Sequence, residues 1–250
     1  MILKRKIYKK LLEWKNECQG KKALLIEGAR RIGKSTICEE FGKNEYESYL
    51  LIDFAKKDKE VERYFERYLN DLDTFFMLLQ THFGTKLTER NSLIIFDEVQ
   101  MFPQARAAIK YLVADGRYDY IETGSLISIR ENVKNIVIPS EERNINMYPL
   151  DFEEFAIALE EDLLVEYIKK CFEKREPLER SMHNQAMLLF HQYMLVGGMP
   201  MPVVSFIENK KDFTEADKEK RDILKLYRED IMKIDMRYRS KVLAIYDQIP

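Results

Sequence analysis

Residues Gly28-Ala29-Arg30-Arg31-Ile32-Gly33-Lys34-Ser35 follow directly on the apolar run Ala23-Leu24-Leu25-Ile26 and read Gly, four variable residues, Gly-Lys-Ser. Nothing else in the chain restricts its fold as much. The pattern demands a buried strand, a glycine-rich turn and a helix in that order, because backbone N–H groups of the turn and the positive end of the helix must surround a polyphosphate together. In such a loop the lysine neutralises charge on the β- and γ-phosphates, and the serine hydroxyl is a ligand for Mg²⁺. Gly28, Ala29, Arg30, Arg31, Ile32, Gly33, Lys34, Ser35 and Thr36 are therefore the candidate nucleotide-binding residues. Arg30 and Arg31 occupy variable positions, where facing solvent is as expected as a role.

The flanking sequence supplies an α/β fold around this loop. Ile7, Leu11, Leu12 and Trp14 recur at helical spacing within residues 5–19, which predicts a short amphipathic helix ahead of the first strand. Residues 34–42 read as the helix behind the loop and residues 48–53 as a second strand. Residues 56–83 predict a helical stretch with charge on one face and an aromatic stripe from Tyr64 to Phe76 on the other, a pattern expected to pack into a core. Ser92-Leu93-Ile94-Ile95-Phe96-Asp97-Glu98 is an apolar run ending in two carboxylates, as in a central parallel strand covered on both faces. Pro103 marks a helix over 104–115, and residues 118–123 and 144–148 predict two more strands. Such alternation specifies a parallel sheet. From Asp151 the pattern turns helical, over 151–174, 178–195, 201–209 and 214–247. The expected division is a nucleotide-binding core at 1–150 and a helical domain at 151–250.

Asp97 ends its strand where open parallel sheets place their ligand sites, and suits a magnesium carboxylate. Glu98 beside it can polarise a water for attack on the γ-phosphate, so the pair favours hydrolysis over binding alone. Thr123-Gly124-Ser125 brings the hydroxyls of Thr123 and Ser125 to the γ-phosphate if the fourth strand neighbours the third; a plain turn of small residues is the alternative. Asp53, at the end of the second strand, fits either an approach to Glu98 or a turn. The histidines at 82, 183 and 191 share no metal-ligand spacing, and Cys18, Cys38 and Cys171 stand far apart, which argues against a zinc site or a disulfide framework. With 46% hydrophobic and 34% charged residues and no apolar run long enough for a bilayer, a cytoplasmic protein without a membrane partner is expected. A net charge of −2 gives no global case for nucleic acid and leaves a local basic face open.

With the loop, the Phe96-Asp97-Glu98-Val99-Gln100 segment and the Thr-Gly-Ser turn in place, the chain resembles a prokaryotic AAA+ ATPase. The resemblance extends to Tyr148-Pro149-Leu150-Asp151-Phe152-Glu153-Glu154-Phe155 and Gly197-Gly198-Met199-Pro200. It is strongest toward a bacterial and archaeal group whose ATPase domain is followed by a domain of unknown function. It implies a parallel sheet of order 5-1-4-3-2 flanked by helices, a helical lid, ATP and Mg²⁺ as cofactors, and scope for a homo-oligomer. It implies an arginine ahead of the fifth strand that reaches a neighbouring subunit's γ-phosphate; Arg143 stands there, with Arg130 a second candidate, and Glu142 replaces the glycine usual before it. It also implies that Pro200 lies against adenine, a helix-start turn being the other reading. Members of the group usually continue past the point where this chain stops, so a truncated C-terminus is expected. The expected function is a Mg-dependent ATPase that cycles between ATP and ADP as a conformational switch or motor on a protein or nucleic-acid partner. A nucleotide-gated DNA- or protein-binding module with negligible hydrolysis is the alternative. A P-loop phosphotransferase is a third reading, against which Glu98 and the small helical domain speak.

Overall fold

The apolar run Ala23–Glu27 forms β1, joined in one parallel sheet by Ser48–Asp53 (β2), Ser92–Asp97 (β3), Asp119–Gly124 (β4) and Glu142–Asn146 (β5). The strand order is β2-β3-β4-β1-β5, the expected 5-1-4-3-2 read from the opposite edge. The structure is a computed structural model that describes residues 1–125, 141–232 and 234–249. β3 and β4 are buried at every position, as strands covered on both faces must be. β5 pairs over residues 142–146, in register with residues 23–27, two residues earlier than the apolar pattern placed it.

Among the described residues, five helices flank this sheet: Ile7–Cys18 (α1), Lys34–Glu45 (α2), Lys59–Tyr68 (α3), Leu72–Phe83 (α4) and Pro103–Asp115 (α5). The aromatic stripe is core. Phe65, Phe75 and Phe76 join Phe54, Phe96, Phe102 and Tyr120 in one buried cluster, with the Phe65 ring 5.6 Å from Phe96 and 5.0 Å from Phe75. Each such buried ring contributes about 1.5–3 kcal/mol relative to exposure. The stretch at 56–83 is two helices, because Asp71 starts a new one. Its carboxylate accepts hydrogen bonds from the Thr74 N–H (3.2 Å) and hydroxyl (2.7 Å), which satisfies donors that a helix start leaves free.

By internal contacts the chain divides into residues 5–148, which hold the sheet, and residues 1–4 with 149–250. The second unit is helical, with Phe152–Ala158 (α6), Asp162–Lys174 (α7), Arg180–Val196 (α8), Pro200–Glu208 (α9), Phe213–Ile231 (α10) and Met236–Tyr246 (α11). Leu150, Phe155, Leu189, Val203 and Phe206 lie in its core. Here too the stretches at 151–174 and 214–247 break, the latter at Asp235, whose carboxylate caps the next helix through the Arg237 N–H (3.0 Å). At the start of α6, Asp151 accepts from the Glu154 N–H (2.9 Å) and Glu154 accepts from the Asp151 N–H (3.2 Å), a reciprocal pair that fixes the helix entry. Leu150 N–H donates to the Gly198 carbonyl at 2.7 Å, and a Cβ on Gly198 would lie 2.1 Å from the Leu150 carbonyl oxygen. Only glycine permits that approach. Among the described residues no helix is long and apolar enough to cross a membrane.

Candidate functional site

β1 ends at Glu27 and the chain curls through residues 28–33 into α2. A Cβ at Gly28 would meet the Met147 carbonyl oxygen at 2.4 Å and the Ile32 side chain at 2.6 Å. Gly33 takes φ +88°, a conformation that glycine adopts without steric cost. Ile32 is fully buried and anchors the loop from within. Its carbonyl accepts from Arg5 Nη1 at 3.0 Å, while Arg5 Nη2 donates to the Tyr148 carbonyl at 2.6 Å. Ala29, Arg31 and Thr36 are exposed and Arg30 half-buried. Lys34 is 5% exposed, and its ammonium donates to the carbonyls of Gly28 (3.1 Å) and Ala29 (2.8 Å). Burial pulls the Lys34 pKa below its ordinary value, against the opposing charges of Glu98 and Asp97.

Because β3 lies between β2 and β4, the strand ends bring the remaining groups to the loop. The Ser35 hydroxyl lies 2.7 and 2.9 Å from the two Asp97 carboxylate oxygens. Thr123 is fully buried; its hydroxyl donates to Asp97 and accepts from the Glu98 N–H at 3.3 Å. Thr123 thus braces the turn that carries both carboxylates. Glu98 itself adopts φ +52°, a left-handed conformation uncommon for residues with a Cβ. One of its carboxylate oxygens accepts a close hydrogen bond from the Gln100 side-chain amide. Ser125 is buried just past β4.

Other residues singled out from the sequence fall elsewhere. Asp53 serves its turn: its carboxylate accepts from the Ala55 N–H at 3.0 Å and pairs with Lys56 at 3.7 Å. Arg143 lies on β5 opposite Leu24, near the start of β1, and pairs with Glu17 at 2.7 Å. Arg130 falls outside the described residues. Pro200 is the first residue of α9, after Met199, in the helical unit. Cys18, Cys38 and Cys171 are buried free thiols. Among the described residues no three His, Cys, Asp or Glu side chains converge as a metal cluster. The Ser35 hydroxyl and Asp97 carboxylate do suit Mg²⁺, a hard cation that takes one or two protein oxygens and completes its shell with water and phosphate.

Three features were not assigned from the sequence. Arg5 carries no motif. Gln100 lies inside a quoted segment without a role. The third is a buried charge cluster on the α5 side of the sheet: Arg106 from α5 pairs with Glu142 of β5 at 3.1 Å, their side chains 3% and 2% exposed. Glu122 of β4, fully buried, lies beside them, against the Glu142 carboxyl. Burial and the charge of Glu142 push its pKa well above the carboxylate range, with Arg106 pulling the other way. The one sequence signal of Glu122 is a carboxylate where strand alternation points inward, next to Tyr120 on the same face.

A strand, a glycine loop holding a buried lysine, and a hydroxyl against a strand-end carboxylate define a P-loop protein of the nucleotide-binding α/β class. The chain belongs to the AAA domain family, which it matches over residues 20–156, more than half its length. No curated protein matches it. Among solved structures it is similar to PCH-2 of C. elegans, at 12% identity and TM-score 0.40 over 86% of this chain and 64% of that one. It spans less than two thirds of that protein. It is also similar to the Aeropyrum pernix ORC1 protein in complex with DNA (10% identity, TM-score 0.37, 99% of this chain and 84% of that one). A DNA replication initiation factor gives 13% identity and TM-score 0.39, over 95% of this chain and 76% of that one. Likenesses this distant carry no argument about activity or partner.

Proposed function

We propose that the chain binds ATP at residues 28–36 and hydrolyses it with Mg²⁺, acting as a conformational switch or motor on a protein or nucleic-acid partner. The observation that carries this reading is the Ser35 hydroxyl within 2.7 Å of Asp97, with Lys34 in the loop behind it and Glu98 next in sequence. Lys34 leaves the loop carbonyls to meet the β- and γ-phosphates, and backbone N–H groups of the loop bind their oxygens. Ser35 and Asp97 would hold Mg²⁺, which would supply charge neutralisation at the phosphates. The Glu98 carboxylate accepts a hydrogen bond from the attacking water and orients it in line with the leaving ADP. Thr123 keeps Asp97 and Glu98 in register, and Ser125, buried just past β4, senses the γ-phosphate. Residues 149–250 read the nucleotide state, and Arg143 is directed to a neighbouring subunit in a homo-oligomer. The protein works in the cytoplasm.

The test is release of inorganic phosphate from ATP. We expect steady turnover with Mg²⁺ and a fall of at least ~100-fold with EDTA, because a metal at a phosphoryl centre contributes several kcal/mol. Addition of duplex and single-stranded DNA to the same assay separates a nucleic-acid partner, which changes the rate, from a protein partner. Saturable ATP binding with no release of phosphate would instead establish the nucleotide-gated binding module. Transfer of the γ-phosphate to a small molecule would establish the phosphotransferase.

A further inference from the structure

We infer that Gln100 is a positioning residue for hydrolysis, holding the Glu98 carboxylate in the site by one oxygen and leaving the other for water. The inference rests on the proposal that Glu98 orients the attacking water. Four observations lead to it. The Glu98 backbone is held at both ends: its N–H donates to the Thr123 hydroxyl at 3.3 Å, and its carbonyl accepts from the Met101 N–H at 2.9 Å. With the backbone fixed, what remains free is the side chain, whose rotamers are many. Gln100 removes that freedom. It sits on the turn Val99–Met101, is 3% exposed, and its amide donates to Glu98 Oε2.

A restraint of this kind either presents a carboxylate or withdraws it. The geometry favours presentation, because Glu98 directly follows Asp97, whose carboxylate oxygens lie 2.9 and 2.7 Å from the Ser35 hydroxyl of the phosphate loop. The amide therefore holds the Glu98 carboxylate next to the strand end that meets the phosphate loop. A glutamine suits the task, since its amide donates to a carboxylate without bringing a charge that would compete with Lys34. Donation to Oε2 leaves both lone pairs of Oε1 available to a water.

Three variants test this, with phosphate release and ATP binding measured on each. Gln100→Met keeps the volume and removes the donor; Gln100→Ala removes both. Partners of this kind, which act through a reacting group, typically contribute 10–100-fold. We expect kcat to fall by about that factor in both variants with the ATP Kd and thermal midpoint of Gln100→Met unchanged. Gln100→Glu carries the distinguishing readout. When protonated, the introduced carboxyl donates to Glu98 as the amide does, and when ionised it repels it. Its kcat should therefore approach the wild-type value at low pH and fall away as pH rises, relative to the wild-type profile.

Values of kcat within twofold of wild type in Gln100→Met and Gln100→Ala would overturn the inference. A loss of ATP affinity parallel to the loss of kcat would overturn it too, by showing a merely structural role. The wild type and Glu98→Gln are assayed beside these variants. If Glu98→Gln also turns over normally, the hydrolytic reading falls and this inference with it; if only the Gln100 variants do, the inference alone falls.

Discussion

Glu98→Gln is expected to bind ATP as tightly as the wild type and to release phosphate at least ~100-fold more slowly, the lower end of what a positioned general base contributes. The expectation follows from how little else the substitution touches. Glutamine keeps the volume and the backbone contacts, which involve the Glu98 N–H and carbonyl and no side-chain oxygen. What it removes is the charge that draws a proton from water. It also turns the Gln100 contact into one between two amides, which survives only if the new amide presents its oxygen. Under the proposed mechanism ATP affinity is set elsewhere, by the loop backbone, Lys34 and Ser35. Parallel phosphate-release and ATP-titration curves check the split. Turnover within tenfold of wild type would remove Glu98 from the mechanism.

Arg106→Ala is expected to cost about 3–5 kcal/mol of stability, the range for breaking a buried ion pair by removing one partner. The site leaves little room for relief. Glu142 and Glu122 are shielded from water, and both have pKa values raised by burial while Arg106 counters the shift. Without the guanidinium both carboxyls must be protonated to stay inside. A raised folded pKa gives stability that is fully present below the unfolded carboxylate value and lost as pH rises through the folded one. The defect of Arg106→Ala should therefore deepen as pH rises from about 5 upward. Pairing Arg106→Met with Glu142→Gln should restore most of the loss, because apolar and neutral replacements of a buried pair are often tolerated. Urea unfolding at several pH values measures this. A loss under ~1 kcal/mol, or one that shrinks with rising pH, would show that the cluster is solvated.

The loop, the strands and the helical half were legible because they rest on local patterns. The Gly28 and Gly33 positions, Lys34 and Ser35 are fixed by eight consecutive residues, and the apolar run before Asp97 marks a central strand wherever it occurs. The convergence of Asp97, Thr123 and Ser35 needed the strand order as well, which the family resemblance supplied. Helix breaks were misjudged where a capping aspartate interrupts an amphipathic pattern without disturbing its periodicity, as at Asp71 and Asp235. What could not be read was long-range pairing between polar groups. Arg106 and Glu142 are 36 residues apart, and nothing local to either shows that both are buried. Gln100 escaped for the opposite reason: it lies two residues from Glu98, yet only the left-handed turn at Glu98 brings their side chains together.

The central claim is that residues 28–36 hold a nucleoside triphosphate, and titration of ATP into the wild-type chain and Lys34→Ala, with Mg²⁺ present, tests it most directly. The account predicts saturable binding by the wild type, weakened by at least tenfold in Lys34→Ala. Equal affinity in the two proteins, or no saturable binding by the wild type, would contradict it.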